Sequence, residues 1–502
     1  MTQISMKHVI LAIAILWIPR STSAQNLAEF EKNVTQFTLE NGLTVIILKR
    51  DVAPVASFVT YVGVGGANEP VGQTGIAHIF EHMAFKGTTT IGTSDWEKEK
   101  PLLEAVNTSY KAWLREKNRP YADTASVRRL WIAFKAAEEQ AKTYVVNNEF
   151  SQIIDRAGGV GLNAFTSSDE TGYFYSLPQN KAELWFTLEA ARFKDPVFRE
   201  FYVEKDVVKE ERRMRTDSNP IGRLIEEFLA VAYSAHPYKN PVIGWPSDIE
   251  AVTMDDALAF YSRFYVPSNM IVSIAGDVDP ARMRAFAQTY FGDLPKGEPA
   301  PALMVKEPPQ RGERRFVIEE ESQPFFISGY RSVEATHPDA PALEILSDIL
   351  SSGRTSRLYK RLVEQDKLAL EAAGFYGFPG TKYQTLFVAY AVPNQGVSID
   401  SIETAMEEEL ERVRSQGVTQ EELSRSITQR RANLIRSLSS NNGLALSLAQ
   451  NQSTYGDWRA LFRNLNAMTE LTPADIQRVA QTYLVKSQRT VGIIQTSGGI
   501  ND

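Results

Sequence analysis

The segment VGVGGANEPVGQTGIAHIFEHMAFKGT, residues 62–88, carries the pattern from which both the fold and the chemistry of this chain are predicted. A helix is expected to begin near Thr74. On that helix His78 and His82 are four residues apart and share one face, and Glu81 borders the same face. Two neutral imidazoles on one face can hold a zinc ion, and the neighbouring carboxylate can take a proton from a water beside it.

The histidine and cysteine content supports this interpretation. The chain has five histidines and no cysteine, so a metal site must rest on His, Asp and Glu, and disulfides or thiol nucleophiles are excluded. Two packed or solvated helical histidines are the ordinary alternative. The H-x-x-E-H spacing, which is the signature of the inverzincin peptidases, favours the metal site.

Composition limits the other functions. With 502 residues, 43% hydrophobic and 23% charged, the chain is long enough for two or more globular cores. The formal net charge of −7 comes without any long run of Lys or Arg, so no nucleic-acid partner is predicted.

The N-terminus reads as a secretory signal. Lys7 precedes an apolar run from Val9 to Ile18, and small residues follow up to Ala24. The run is about half of the roughly twenty residues that a membrane-spanning helix needs. The sequence therefore predicts a signal peptide over residues 1–24, cleavage near Ala24, a periplasmic or secreted protein, and no stable membrane anchor.

Strand patterns flank the histidine helix. FTLENGLTVIILKR predicts a hairpin around Asn41-Gly42, and VASFVTYVGVGG predicts a long strand. GGVGLNAFTSSDETGYFYSLP predicts two antiparallel strands around a turn at residues 167–170. Between these elements, residues 94–147 predict a helical hairpin, interpreted as a solvated decoration without chemistry. Its expected packing anchors are Trp96, Trp113 and Trp131.

An internal repeat indicates duplication. TMDDALAFYSRFYVPSNMIVSI from Thr253 and TPADIQRVAQTYLVKSQRTVGI from Thr472 align without gaps, so each half is expected to end in the same helix, loop and strand. The predicted fold class is α+β: two homologous α/β-sandwich domains of mostly antiparallel sheet, with a helical insertion in the first. The expected boundaries are 25–294 with the insertion at about 94–147, a Pro-rich linker at 295–312, and 313–502 without a metal site.

Four blocks in a fixed order resemble the pitrilysin/insulinase family, in particular its mitochondrial processing peptidase-like branch. They are the segment at 62–88, GLNAFTSSDETGYFYSLP, EKDVVKEERRMRTDSNP and HPYKNPVIGWPSDIE. The resemblance covers most of residues 30–290 and, more weakly, 310–495. It implies a zinc metalloendopeptidase that hydrolyses internal bonds of peptides or unfolded segments, with one Zn²⁺ per chain held by His78, His82 and a later glutamate, and Glu81 as the general base.

The family pattern places the third ligand in EKDVVKEERRMR, where it has two glutamates seven residues apart. Glu204 and Glu211 match these positions, and seven residues is about two helical turns. By resemblance Glu211 is the ligand and Glu204 a catalytic auxiliary acid. Adjacent Glu210 is the competing ligand, although it points about 100° away from the Glu204 face.

The same resemblance implies a substrate-binding edge strand at Asn163-Ala164-Phe165-Thr166, to which an extended peptide adds by main-chain hydrogen bonds, with Asn163, Ala164 and Phe165 as the substrate-binding residues. An ordinary strand whose Asn caps a turn is the alternative.

A departure from the family pattern concerns the second half. Family members often supply an Arg and, seven residues later, a Tyr, but Val363 and Leu370 stand at those positions here. Either nearby groups substitute, with Arg354, Arg357 and Tyr359 as candidates, or a second polypeptide supplies the pair. The resemblance therefore implies a homologous zinc-free partner subunit in a heterodimer, or a homodimer. The alternative function is a noncatalytic structural or peptide-binding subunit of a larger complex.

Overall fold

The computed structural model describes residues 30–496, so the predicted signal peptide lies outside the described residues. No helix within 30–496 is both long enough and apolar enough to cross a membrane.

A six-stranded mixed sheet organises the first half. Its strands are β1 (Val34–Thr38), β2 (Thr44–Lys49), β3 (Val55–Val62), β4 (Val160–Thr166), β5 (Thr171–Pro178) and β6 (Met270–Gly276). They lie in the order β1-β2-β6-β3-β5-β4. The predicted Asn41-Gly42 hairpin is confirmed, because β1 and β2 pair antiparallel with Thr38 opposite Thr44. The strands predicted around residues 167–170 are also confirmed as an antiparallel pair, and β4 forms one edge of the sheet.

Ten α-helices that lie wholly within the described residues accompany this sheet. In chain order they are α1 (Ile76–Met83), α2 (Trp96–Lys117), α3 (Thr124–Lys142), α4 (Glu149–Arg156), α5 (Ala182–Lys194), α6 (Phe201–Arg212), α7 (Pro220–Ala232), α8 (Pro246–Ala251), α9 (Met254–Phe264) and α10 (Pro280–Phe291).

The second half has a similar arrangement with a five-stranded sheet. Its strands are β7 (Arg314–Glu320), β8 (Phe325–Arg331), β9 (Ala369–Phe378), β10 (Leu386–Pro393) and β11 (Arg489–Thr496). They lie in the order β7-β11-β8-β10-β9. Its helices are α11 (Ala340–Ser351), α12 (Ile399–Gln416), α13 (Gln420–Ser437), α14 (Asn441–Tyr455), α15 (Ala460–Thr469) and α16 (Pro473–Tyr483). The chain between the halves, which contains the predicted linker at 295–312, has no helix or strand.

The predicted repeat is visible in the local geometry. Each copy starts with a capping box, formed by Thr253 with Asp256 before α9 and by Thr472 with Asp475 before α16. Each helix then leads through a 3₁₀ turn into a strand inside its sheet. The same caps produce the same helix-to-strand junction twice, as expected for a duplicated α+β unit.

One helix from each half packs against the sheet of the other half. Helix α14 packs on β3 and β6 of the first sheet, where Leu448 joins a buried cluster with Ile46 and Val59. In return α7 packs on β7 and β11, where Phe228 joins a cluster with Val388. Both clusters combine residues more than 150 positions apart, so the cores of the two halves are joined.

The insertion is more than the predicted solvated decoration. Helices α2 and α3 pair along their length, and Tyr110, Trp113 and Phe134 are buried in the core cluster of the first half. Of the three expected anchors, Trp113 is buried, Trp96 packs against the same core, and Trp131 remains 37% exposed while packing on Trp113. The inner face of the hairpin is therefore part of the domain.

Candidate metal centre

Helix α1 presents the two histidines to a cleft. The helix begins at Ile76, two residues later than expected, and its apolar residues Ile79 and Phe80 face the core. Glu69 caps its start, because the buried carboxylate accepts the backbone N–H groups of Gly75 and Ala77, both at 2.9 Å.

Three predicted ligands converge. One ligand atom each from His78, His82 and Glu211 lie within 4.8 Å of one another, and no other such group of three occurs within residues 30–496. The Nε2 atoms of His78 and His82 lie 3.6 and 3.8 Å from Oε2 of Glu211. Tetrahedral zinc with bonds of about 2.0–2.1 Å holds its ligand atoms about 3.3 Å apart, so this donor set fits zinc with small adjustments.

Glu210 is placed apart from this cluster. It lies on α6 next to Glu211, but its carboxylate pairs with Arg213 and its side chain is 53% exposed. Oε1 of Glu211 forms an ion pair with the Arg215 guanidinium at 2.8 Å, and Oε2 lies nearest the histidines.

Glu204 lies behind His82 and away from the open side of the cleft. Its Oε2 is 3.1 Å from His82 Nδ1, and its Oε1 pairs with Lys86 at 2.6 Å. A carboxylate on Nδ1 fixes the ring so that Nε2 faces the cluster, as outer partners of metal-ligating histidines do. Burial raises the pKa of Glu204, but hydrogen bonds from His82 and Lys86 outweigh it and hold that pKa below its ordinary value.

The other histidine is held neutral. Burial, together with His82 and Arg215, lowers the pKa of His78 to about 3. Its Nδ1 is buried and has no hydrogen-bond partner among residues 30–496. A neutral imidazole is the form that ligates zinc.

Glu81 borders the cluster as predicted. Its Oε2 accepts a hydrogen bond from Thr166 at 2.6 Å. Burial raises the pKa of Glu81, and this hydrogen bond opposes the rise only in part. A carboxylate with a raised pKa is suited to accept a proton and return it near neutral pH.

The cluster opens into a cleft of about 1030 Å³. One wall is the edge strand β4, which contributes Asn163, Ala164, Phe165 and Thr166, and α6 forms the opposite wall. The amide N–H of Ala164 is taken up by the Asn163 side chain at 2.9 Å. The rest of this edge has no partner strand within the described chain.

The second half contains a cleft of about 600 Å³ beside the helix that corresponds to α1, and the Arg430 side chain lies in it. Helix α11 contacts α16, α13 and β9 much as α1 contacts α9, α6 and β4. Where α1 carries two histidines four residues apart, α11 carries Glu344 and Asp348, and the Arg430 guanidinium binds both carboxylates. The Arg430 guanidinium therefore supplies a positive charge between two carboxylates in the second cleft.

The positions that depart from the family pattern lie outside the metal cleft. Val363 packs against the second core, and Leu370 is 57% exposed on β9. Of the proposed substitutes, Arg357 is already engaged by Glu422 at 2.7 Å. The structure brings neither Arg354 nor Tyr359 to the lining of the metal cleft.

Two contributors to the site are absent from the sequence interpretation. Lys86 and Arg215 each stand four residues after a predicted ligand, His82 and Glu211, but both lie beyond the ends of α1 and α6, so helical spacing alone does not predict their contacts. Thr166 belongs to the predicted edge strand, but its contact with Glu81 spans 85 positions and leaves no local pattern.

Fold and site together define a class: chains of two related α+β halves in which only the first carries an H-x-x-E-H metal cluster. The chain belongs to peptidase family M16, the insulinase family. The family model "Insulinase (Peptidase family M16)" matches residues 44–128 and 132–245, and "Peptidase M16 inactive domain" matches residues 251–430.

Relatives and solved structures agree with this membership. The chain is 29% identical to "Zinc protease PqqE" of Helicobacter pylori over 98% of this chain and 99% of that protein. It is 22% identical to "Uncharacterized zinc protease YmxG" of Bacillus subtilis over 93% and 99%. A protease structure from H. pylori superposes with a TM-score of 0.77 at 28% identity, covering 92% of this chain and 99% of that one. The periplasmic protease PqqL of Escherichia coli superposes at 0.68 with 17% identity, over 92% of this chain and 48% of that one. These findings confirm the predicted family and α+β fold.

Proposed function

We propose that this chain is a zinc metalloendopeptidase that hydrolyses internal bonds of peptides or unfolded segments, with one Zn²⁺ held by His78, His82 and Glu211. The convergence of these three donors within 4.8 Å, with Glu81 beside them, carries the proposal. The names of the relatives, zinc proteases, point the same way.

Zinc bound by these donors would supply a Lewis acid that polarises the peptide carbonyl and acidifies a water. The side chains of the protein carry out the proton transfers. Glu81 removes a proton from the attacking water and delivers it to the leaving amine, and Thr166 orients the Glu81 carboxylate through its 2.6 Å hydrogen bond. Glu204 and Lys86 keep His82 turned toward the cluster.

The edge strand β4 provides the substrate site of this proposal. An extended peptide adding to β4 at Asn163, Ala164 and Phe165 would place its backbone along the cleft that contains Glu81. Main-chain pairing tolerates many side chains but requires an unfolded segment, since the backbone N–H and C=O groups of a folded protein are already paired.

Partner and location belong to the same proposal. Because Val363 and Leu370 lie outside the cleft, a homologous zinc-free subunit, or a second copy of this chain, would supply the missing substrate contacts. Export to the periplasm or beyond agrees with the N-terminal segment and with the periplasmic PqqL neighbour.

The test uses Glu81→Gln beside Glu210→Gln as a matched control. Cleavage of a quenched unstructured peptide should fall about 10²–10⁴-fold in Glu81→Gln, while bound zinc stays near that of the wild-type chain, since general acid–base catalysis contributes that range. Glu210→Gln should keep its bound zinc and lose little cleavage, since Glu210 lines the cleft outside the ligand cluster. Unchanged cleavage in Glu81→Gln would overturn the mechanism, and zinc-loaded wild-type chain without any cleavage would support the noncatalytic alternative unless a partner restores turnover.

A further inference from the structure

A lysine lies in the middle of the buried face of the metal helix. Helix α6, which carries Glu204 and Glu211, buries Phe201, Lys205 and Val208 on its inner side. Lys205 is 1% exposed, a position where a side chain of this kind is rare unless its charge is compensated.

Three oxygen atoms accept hydrogen bonds from the buried Lys205 amine, and the insertion provides one of them. Nζ of Lys205 donates to Oη of Tyr110 on α2 at 3.0 Å, and to the carbonyls of Glu250 and Val252 at the end of α8. Tyr110 in turn donates to the Glu250 carbonyl at 2.7 Å. All three ammonium donors of Lys205 are therefore satisfied, and α2, α6 and the end of α8 are joined at one point.

The ring of Tyr110 adds to this junction. It stacks on Tyr202 of α6 with centroids 3.9 Å apart, and Lys205 lies over the ring at 4.5 Å. The Tyr202 hydroxyl donates to Asn107 of α2 at 2.7 Å. The contact between insertion and metal helix is thus both apolar and hydrogen-bonded.

A second junction holds the other side of the site. Arg199, just before α6, is 1% exposed and forms a two-pronged pair with Glu99 of α2 at 2.9 and 3.1 Å. The same guanidinium donates to the carbonyls of Lys86, Thr88 and Ile91, the loop that leaves α1. Glu99 is fully buried. Through Arg199 the insertion is therefore linked to the loop that follows α1 and to the segment that precedes α6.

We propose that the 94–147 hairpin is a brace that sets the position of α6 relative to α1, with Lys205, Tyr110, Arg199 and Glu99 as positioning residues. The inference rests on the proposed metal site. Ligand atoms must be held to within about 0.2 Å of their bonding distances, so a shift of α6 loosens Glu211 before it unfolds the domain. The hairpin acts on the back of the metal helix and needs no contact with substrate.

The experiment compares Tyr110→Phe and Lys205→Met with Tyr121→Phe, an exposed tyrosine in the same insertion. Zinc affinity is measured by chelator competition, the coordination geometry by the absorption spectrum of the Co²⁺-substituted chain, and kcat and KM on one peptide. Tyr110→Phe and Lys205→Met should each weaken zinc binding about 10-fold, alter the Co²⁺ spectrum and lower kcat with little change in KM. This is the lower end of the effects of about 10–100-fold for groups that touch metal ligands, because both residues act on Glu211 only through the position of α6. Tyr121→Phe should match the wild-type chain in every readout.

The outcomes separate this inference from the proposed function. If folded Tyr110→Phe keeps wild-type zinc affinity and Co²⁺ spectrum, and only its thermal midpoint falls, the brace is merely structural and the inference is overturned while the peptidase stands. If the wild-type chain binds no zinc, the proposed function itself fails. Should Lys205→Met not fold, Tyr110→Phe alone decides, because it removes one hydroxyl and keeps the stacked ring.

Discussion

The orientation of the His82 ring depends on ion pairs and hydrogen bonds among side chains that lie outside the cleft. Lys86 pairs with both Glu200 and Glu204, and Glu204 holds Nδ1 of His82. The resemblance predicts that Glu204 is a catalytic auxiliary acid. We propose that it also positions His82, because its carboxylate touches the ring nitrogen that faces away from the ligand cluster.

Replacing Glu204 tests that role. In Glu204→Gln a neutral amide replaces the carboxylate at His82 Nδ1, which makes the ring a poorer ligand. We expect zinc affinity to fall about 10–100-fold. Chelator competition on the purified chain measures the change, with Glu210→Gln as a control of equal charge loss on the same helix. Equal affinities in the two variants would contradict the positioning role.

At the scale of elements, the start of α1 depends on two glycines in contact. Gly75 has φ of +90°, and a Cβ there would lie 2.7 Å from the carbonyl oxygen of Ile243 and 3.0 Å from Cα of Gly244. The backbone of the 242–244 loop therefore packs directly against the first turn of the histidine helix.

The variant Gly75→Ala should displace that loop. We expect a loss of about 2–4 kcal/mol in the free energy of unfolding, from the left-handed backbone and the clash together, and weaker zinc binding as α1 shifts. Urea denaturation and chelator competition measure the two effects. Gly72→Ala is the control, since Gly72 also has positive φ but nothing lies within 4 Å of its Cβ position; an equal loss there would show that backbone strain alone is responsible.

A second element-scale feature is the cap of α13. Glu422 closes a capping box with Thr419 and pairs with Arg357. Burial raises the pKa of Glu422, but the hydrogen bonds from Arg357 and Thr419 outweigh it and lower that pKa from 4.5 to about 2.

This lowered pKa makes stability depend on acidity in a defined window. A carboxylate whose folded pKa is depressed stabilises fully above its unfolded value, and the contribution is lost as pH falls from about 4.5 toward 2. At pH 7 the free energy of unfolding of the wild-type chain should exceed that of Glu422→Gln by about 1–2 kcal/mol, a value reduced for solvent screening. This difference between the two chains should shrink to near zero toward pH 2. Urea denaturation across pH measures it. The exposed neighbour Glu421→Gln should show no such gap at any pH.

For the whole molecule, the exchange of α7 and α14 has the largest consequence. Leu448 of α14 is fully buried against the first sheet although it belongs to the second half. Damage to one exchanged helix therefore removes core contacts from both halves.

Truncating this leucine should reveal the joint core. Leu448→Ala should cost about 2–4 kcal/mol, the range for emptying a buried leucine site. Calorimetry should show one transition moved to lower temperature, because neither sheet keeps its core when α14 loosens. Ile435→Ala, exposed on α13, should leave the transition in place. Two separate transitions, of which only one moves, would refute the coupling.

The sequence by itself determined the features that depend on neighbours along the chain. The H-x-x-E-H face, the Asn41-Gly42 hairpin and the repeated helix, loop and strand follow from helical period, turn preference and the ungapped alignment of the two halves. The family and the α+β fold could be predicted because these local patterns occur in a characteristic order. The choice of Glu211 as the third ligand depended on the family resemblance. Helix periodicity shows only that Glu210 does not share a face with Glu204, and it does not say which face carries the ligand.

Only the tertiary structure decided how distant segments act on one another. It placed Glu204 behind His82, Thr166 on Glu81, and Lys205 under Tyr110, and it corrected the insertion from solvated decoration to part of the core. It also showed that α7 and α14 each pack on the sheet of the other half, and that Arg430 lies between two carboxylates in the second cleft. The physical reason is that these contacts join residues separated by 80 or more positions, so their energies depend on burial and geometry that no local pattern encodes.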